Sequence, residues 1–176
     1  VMSPPLRKPK DQEALWAAIN QNLVQHVATD HCPFCTDQKE MGIDNFSKIP
    51  NGAPGIEHRV ELMYSEGVHK GRISLNKFVE VTSTLAAKIF GLFPRKGTIA
   101  VGSDADIIVF DPERKHTISA DTHHMRVDYS AYEGWEVQGK CRTTILRGMV
   151  AVDDGLACVD EGFGNYLARE PFNPRY

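Results

Sequence analysis

Asp30 and His31 are neighbours, and Cys32 and Cys35 follow at once. A carboxylate beside an imidazole can ligate a metal ion or accept a proton, which is common chemistry around hydrolytic metal sites. The Cys32-Pro33-Phe34-Cys35 unit offers thiol redox or zinc binding instead. A redox pair wants a helix N-terminus inside a βαβ unit, whereas the stretch that follows here is rich in turn formers. A structural zinc site wants a second close pair, but Cys141 and Cys158 stand 17 positions apart. Four reduced thiols in a cytosolic protein are therefore the simpler reading. His123 and His124 are adjacent, and on a strand they would point to opposite faces, so joint chelation is disfavoured. His26, His58, His69 and His116 show no ligand spacing. Trp16, Tyr64, Phe78, Phe90 and Phe93 fall in or beside predicted helices and read as core, and Arg7, Lys8 and Lys10 as a solvated turn.

The elements that must position Asp30 follow from pattern. Prolines at 4, 5 and 9 keep the first ten residues extended. Asp11 is a plausible N-cap for a helix whose apolar face carries Leu15, Ala18, Ile19 and Leu23. Residues 24–29 are short and half apolar and read as a buried strand that ends at Asp30. A carboxylate there, opening a long loop, is where α/β barrels place catalytic groups. An ordinary loop aspartate is the competing reading. Residues 31–54 are dense in turn formers and predict a long loop with one short helix. Helices are expected over 54–65, from Ser74, and from Ser83 or Thr84 to Gly91.

Beyond residue 97 the period changes to that of short strands, at 98–101, 107–110, 116–119, 135–138, 143–146 and 149–152. Turns are expected at Gly102-Ser103-Asp104, Asp111-Pro112 and Arg147-Gly148.

The chain has 176 residues, 41% hydrophobic and 24% charged, with a formal charge of -3. That composition fits a globular protein and offers no net field for gripping nucleic acid. No apolar run reaches the roughly 18 residues of a membrane span, and no signal-peptide pattern opens the chain. The start at Val1 points to a fragment or a cleaved product.

Several segments resemble the dihydropyrimidinase/hydantoinase family, in the family's order. They are Met2-Ser3-Pro4-Pro5-Leu6-Arg7, Thr29-Asp30-His31-Cys32-Pro33-Phe34 and Phe46-Ser47-Lys48-Ile49-Pro50-Asn51-Gly52. The likeness continues through Val81-Thr82-Ser83-Thr84, Phe93-Pro94-Arg95-Lys96-Gly97 and Gly102-Ser103-Asp104-Ala105-Asp106. It implies an α/β fold: the C-terminal part of an amidohydrolase-type (β/α)8 barrel over residues 1–94, part of a small β-sandwich over 95–154, and a tail over 155–176 as a possible assembly arm. It also implies a cytoplasmic enzyme, commonly a tetramer, that hydrolyses small cyclic amides such as dihydropyrimidines or 5-substituted hydantoins. Two divalent ions, usually zinc, would be bridged by a carboxylated lysine and a hydroxide.

By the same resemblance Asp30 ligates one metal and serves as catalytic base, and Ser3 and Asn51 hold the substrate ring through their backbones. The family's His-x-His pair, carboxylated lysine and two further histidines have no counterpart here and are expected upstream of Val1. The chain alone is therefore expected to be inactive. Allantoinase-like amidases are close alternatives within the enzyme class. A non-enzymatic scaffold of the collapsin-response-mediator type is a second reading, against which the presence of Asp30 and Asn51 weighs. Nucleic acid and membranes are not expected partners.

Overall fold

The computed structural model describes residues 1–172. Helix α1 (Pro9–Asn20) begins earlier than Asp11, because a proline suits the first helical position. Asp11 becomes the third residue of the helix, and its carboxylate accepts the Lys8 N–H at 3.0 Å. The expected buried strand over 24–29 does not form: the segment joins no ladder among the described residues, and its side chains are half-buried or exposed. Its Val27 N–H donates to the Val81 carbonyl at 3.0 Å. A strand needs a neighbour in register, and beside this segment the described residues make a single parallel bridge, between His31 and Ala53.

The long loop carries α2 (Thr36–Glu40) and one 3-10 turn (Phe46–Lys48). Helix α3 (Arg59–Leu62) widens into a π-helical run (Met63–His69). Residues 54–58, expected to be helical, form a turn in which His58 N–H donates to Gly55 O at 3.3 Å. Ser74 caps α4 (Leu75–Val79) as expected, its Oγ accepting the Lys77 N–H at 3.1 Å. That helix continues without a break through a π-helical turn (Glu80–Thr84) into α5 (Leu85–Ile89). The Thr84 hydroxyl, expected to cap a separate helix, donates to the Gly97 carbonyl at 2.8 Å. Gly91, at φ 68°, ends the run.

The second part is an antiparallel meander, β1 (Ile107–Thr117), β2 (Glu136–Leu146), β3 (Met149–Asp153) and β4 (Leu156–Ala157), in that spatial order. Expected strands at 107–110 and 116–119 merge into β1, and those at 135–138 and 143–146 into β2. The expected turn at Asp111-Pro112 is a bulge: Pro112, Glu113 and Arg114 lie opposite Gly139, between the pairs Asp111–Lys140 and Lys115–Gln138. A bulge tolerates the proline that a regular ladder would not. Arg147 (φ 50°) and Gly148 (φ 81°) form the tight β2–β3 turn expected of them. Residues 98–101 are not a strand, and Ile99 is left 82% exposed.

The main buried cluster lies in the helical part. Ile19, Met63, Ile73, Phe78 and Val81 are buried together, with Trp16 and Tyr64 packed against them. Phe90, read as core, is 45% exposed. Phe110 of β1 reaches this layer, its ring 4.8 Å from that of Tyr64. Gly139 makes the approach possible: at φ 95°, a Cβ there would stand 2.4 Å from the Tyr64 ring. The connection between β1 and β2 is anchored where Ile118 N–H donates to Trp135 O at 2.9 Å, and it returns to the helical part to touch the long loop.

Candidate active site

Three segments that sequence reading singled out separately are brought together by main-chain bonds. Gly52 N–H donates to the Val1 carbonyl at 3.1 Å, and Cys32 N–H donates to the Ala53 carbonyl at 3.2 Å. His31 completes the join: its Nδ1 accepts the N–H groups of Gly55 at 3.2 Å and Ile56 at 3.4 Å. With Nδ1 accepting, the ring proton sits on Nε2. The imidazole next to Asp30 thus holds a loop through one nitrogen.

Asp30 is exposed and lies at φ 46°, in the left-handed region that an aspartate tolerates better than most residues. This backbone turns the chain at the end of the unpaired run 25–29, just where the carboxylate is presented. Ser3 and Asn51 are also exposed. Ser3 lies two residues beyond Val1 and Asn51 directly before Gly52, so the segments carrying them are neighbours. Gly52 is required at its place: at φ 144°, a Cβ would come within 2.5 Å of the Cys32 carbonyl oxygen.

Sequence reading did not find the groups that stabilise this corner. Lys39 of α2 donates to the carbonyls of Pro50 and Gly52 at 2.6 Å each and of Val1 at 3.4 Å. Asp128, from the β1–β2 connection, accepts the Thr36 N–H at 2.8 Å at the start of α2. His124 pairs with Glu57, both its N–H and its Nδ1 meeting the carboxylate at 2.7 Å. The Glu57 hydrogen bond and charge push the His124 pKa above its ordinary value. These partners are from 11 to 92 residues apart in sequence, and no spacing rule links them.

All four cysteines are free; Cys32 is exposed, and Cys35 stands before the first turn of α2. Burial pushes the Cys141 thiol up to about 11, with the nearby Glu61 charge acting in the same direction. His123 and His124 lie in a loop rather than on a strand; His123 packs near His58, with ring centroids 6.3 Å apart, and His124 meets Glu57. Among the described residues no group of three or more His, Cys, Asp or Glu is placed to hold a metal ion. Asp30 offers one carboxylate of the right chemistry, but these residues alone do not form a complete metal site.

Residues 3–151 match the model of the Amidohydrolase family. The chain is 50% identical over 173 residues to a D-hydantoinase from Geobacillus stearothermophilus, covering 98% of this chain and 37% of that protein. It is 46% identical over 173 residues to a dihydropyrimidinase from Rattus norvegicus, covering 98% of this chain and 33% of that protein. Among solved structures it is similar to a dihydropyrimidinase from Brevibacillus agri NCHU1002, with a TM-score of 0.96 and 51% identity over 98% of this chain and 38% of that one. The chain thus spans little more than a third of the relatives it matches.

Proposed function

The chain belongs to the amidohydrolase family, and from that premise we propose that it is the C-terminal portion of an enzyme that opens cyclic amides, dihydropyrimidines or 5-substituted hydantoins, by hydrolysis. Residues 1–94 supply the last part of a (β/α)8 barrel, 95–154 part of a β-sandwich, and 155–176 an arm used in assembly of a homotetramer. Residues 173–176 of that arm lie outside the described residues. The enzyme works in the cytoplasm.

The observation that carries this reading is the corner where the segments of Ser3, Asp30 and Asn51 meet, within a chain so similar to hydantoinases. Ring opening requires attack of water on an amide carbonyl, departure of the ring nitrogen, and delivery of a proton to that nitrogen. Asp30 takes the proton from the attacking water and hands it to the leaving nitrogen, the general acid–base task of a carboxylate beside the reacting group. Its exposed carboxylate and left-handed backbone suit a group that must face substrate. Main-chain groups of Ser3 and Asn51 hold the ring, whose alternating N–H and C=O edge pairs with amide donors and acceptors. Two zinc ions, when bound with Asp30 as one ligand, make water nucleophilic near neutral pH and polarise the amide carbonyl. The other ligands come from outside these 176 residues, so the isolated chain does not turn over substrate.

A chimera tests the reading. The 176 residues replace the matching third of the Geobacillus stearothermophilus D-hydantoinase, and hydantoin hydrolysis is followed with divalent metal supplied. Turnover is expected. A folded, metal-loaded chimera without hydrolysis contradicts the proposal.

A further inference from the structure

Lys39 sits on α2, in the long loop, and its ammonium has three N–H donors and no acceptor. All three meet main-chain carbonyls of the candidate site: Pro50 and Gly52 at 2.6 Å and Val1 at 3.4 Å. The cation also lies over the Phe34 ring, 5.3 Å from its centroid. The helix that carries it is held at its own start by Asp128, and Gln38 closes the same turn by accepting the Cys35 N–H at 2.8 Å.

These bonds have a directional consequence for Asn51. In a trans peptide the C=O and the following N–H point in opposite directions. The Pro50–Asn51 bond is trans, and its carbonyl points at Lys39, so the Asn51 N–H points away from Lys39. The Asn51–Gly52 bond is trans too, and its N–H points at Val1 O, so the Asn51 C=O points away from Val1. Lys39 Nζ and Val1 O are themselves in contact. The donor and the acceptor of Asn51 are therefore both turned away from one anchoring point. A donor and an acceptor so presented match an imide edge. The cationic donor also polarises the Pro50 carbonyl and thereby strengthens the Asn51 N–H on the far end of the same peptide.

We propose that Lys39 is a positioning residue that orients the main chain of Asn51 for the substrate ring. It touches no reacting atom; it acts through the peptides on either side of Asn51. The inference rests on the substrate-binding role given to Asn51 above. A displacement of about 1 Å in such a positioning group can cost on the order of a hundredfold in rate.

The test uses the 176-residue chain itself and reads no activity. Backbone amide exchange and carbonyl chemical shifts are measured by NMR in the parent, Lys39→Met and Lys39→Arg. Methionine keeps the length of the side chain and removes the donors. In Lys39→Met the Gly52 amide is expected to exchange at least about tenfold faster, the loss produced by removing a hydrogen bond to a charged group. The Pro50 and Gly52 carbonyl resonances and the Asn51 amide resonance shift with it. The amides of Phe78 and Ile118, bonded to Ser74 O and Trp135 O, serve as controls and stay unchanged. Lys39→Arg, which keeps charge and donors, brings Gly52 protection back towards the parent. Three results overturn the proposal: unchanged Gly52 and Asn51 signals in Lys39→Met, loss of protection at the controls as well, or an arginine variant as unprotected as the methionine one. The chimera assay fails or succeeds separately, so loss of the hydrolase reading and loss of the Lys39 role are told apart.

Discussion

Glu61 carries its charge at the interface between α3 and the sheet, where it is only 7% exposed. Burial alone would raise its pKa, but the hydrogen bond with His116, the nearby His58 ring and the His116 charge hold it at about 2. The contacts are to His116 Nε2 at 3.0 Å and, more loosely, to His58 Nδ1 at 3.8 Å. A carboxylate whose folded pKa lies below its ordinary 4.5 contributes stability above that value and loses it as pH falls towards 2. Acid unfolding followed by circular dichroism should therefore run through this window, and Glu61→Gln should flatten the dependence there. At neutral pH Glu61→Ala leaves the His116 ring without its hydrogen-bond partner, and urea unfolding should register a loss of roughly 1–3 kcal/mol. Its neighbour Cys141 is kept protonated by burial, so a disulfide exchange reagent near pH 8 should label the exposed Cys32 and Cys158 well before it. Equal labelling of Cys141 would contradict that placement. At this scale the sequence was legible in local order, as in the density of turn formers that marks residues 31–54 as a loop with a short helix. It was silent on Lys39, Glu61 and Glu57, whose main partners lie from 11 to 67 residues away.

Single elements show what local pattern can and cannot reveal. Ser74 was readable as a cap and Arg147-Gly148 as a turn, because both depend on two or three consecutive residues. The π-helical turns at 63–69 and 80–84 were not, since the same apolar spacing suits an α-helix. The strand expected at 24–29 has the right composition yet pairs with nothing among the described residues, because ladders are made by neighbours. The bulge opposite Gly139 is the element most dependent on one residue. Gly139→Ala places a methyl within contact limits of Tyr64 and Phe110 on a backbone at φ 95°, and thermal unfolding should show a loss of about 1–3 kcal/mol. A variant as stable as the parent would mean that the sheet and helices do not pack this closely. The β1–β2 connection makes a second prediction. The His124 pKa is raised, so its bond to Glu57 stabilises below about 6.5 and fades as pH rises through the elevated value. Amide protection at His124 should decline over that rise, and Glu57→Gln should remove the decline.

At the scale of the whole molecule, a helical half with its own buried cluster meets the sheet half through the rings of Phe110, Tyr64 and Phe78, and the connection after β1 returns to brace the loops of the candidate site. The change of period near residue 97 was visible in the sequence because strands and helices space their apolar residues differently. How the halves meet was not, because Phe110 against Tyr64 and Asp128 against Thr36 are long-range contacts. The central claim is that Asp30 carries protons in ring opening, at a corner formed with the segments of Ser3 and Asn51. The most direct measurement is single-turnover hydantoin hydrolysis by the chimera and by its Asp30→Asn form, each loaded with metal and saturated with substrate. Loss of a general acid–base group predicts a rate lower by about 10²–10⁴ in Asp30→Asn. An Asp30→Asn chimera that opens the ring within threefold of its parent would contradict the account.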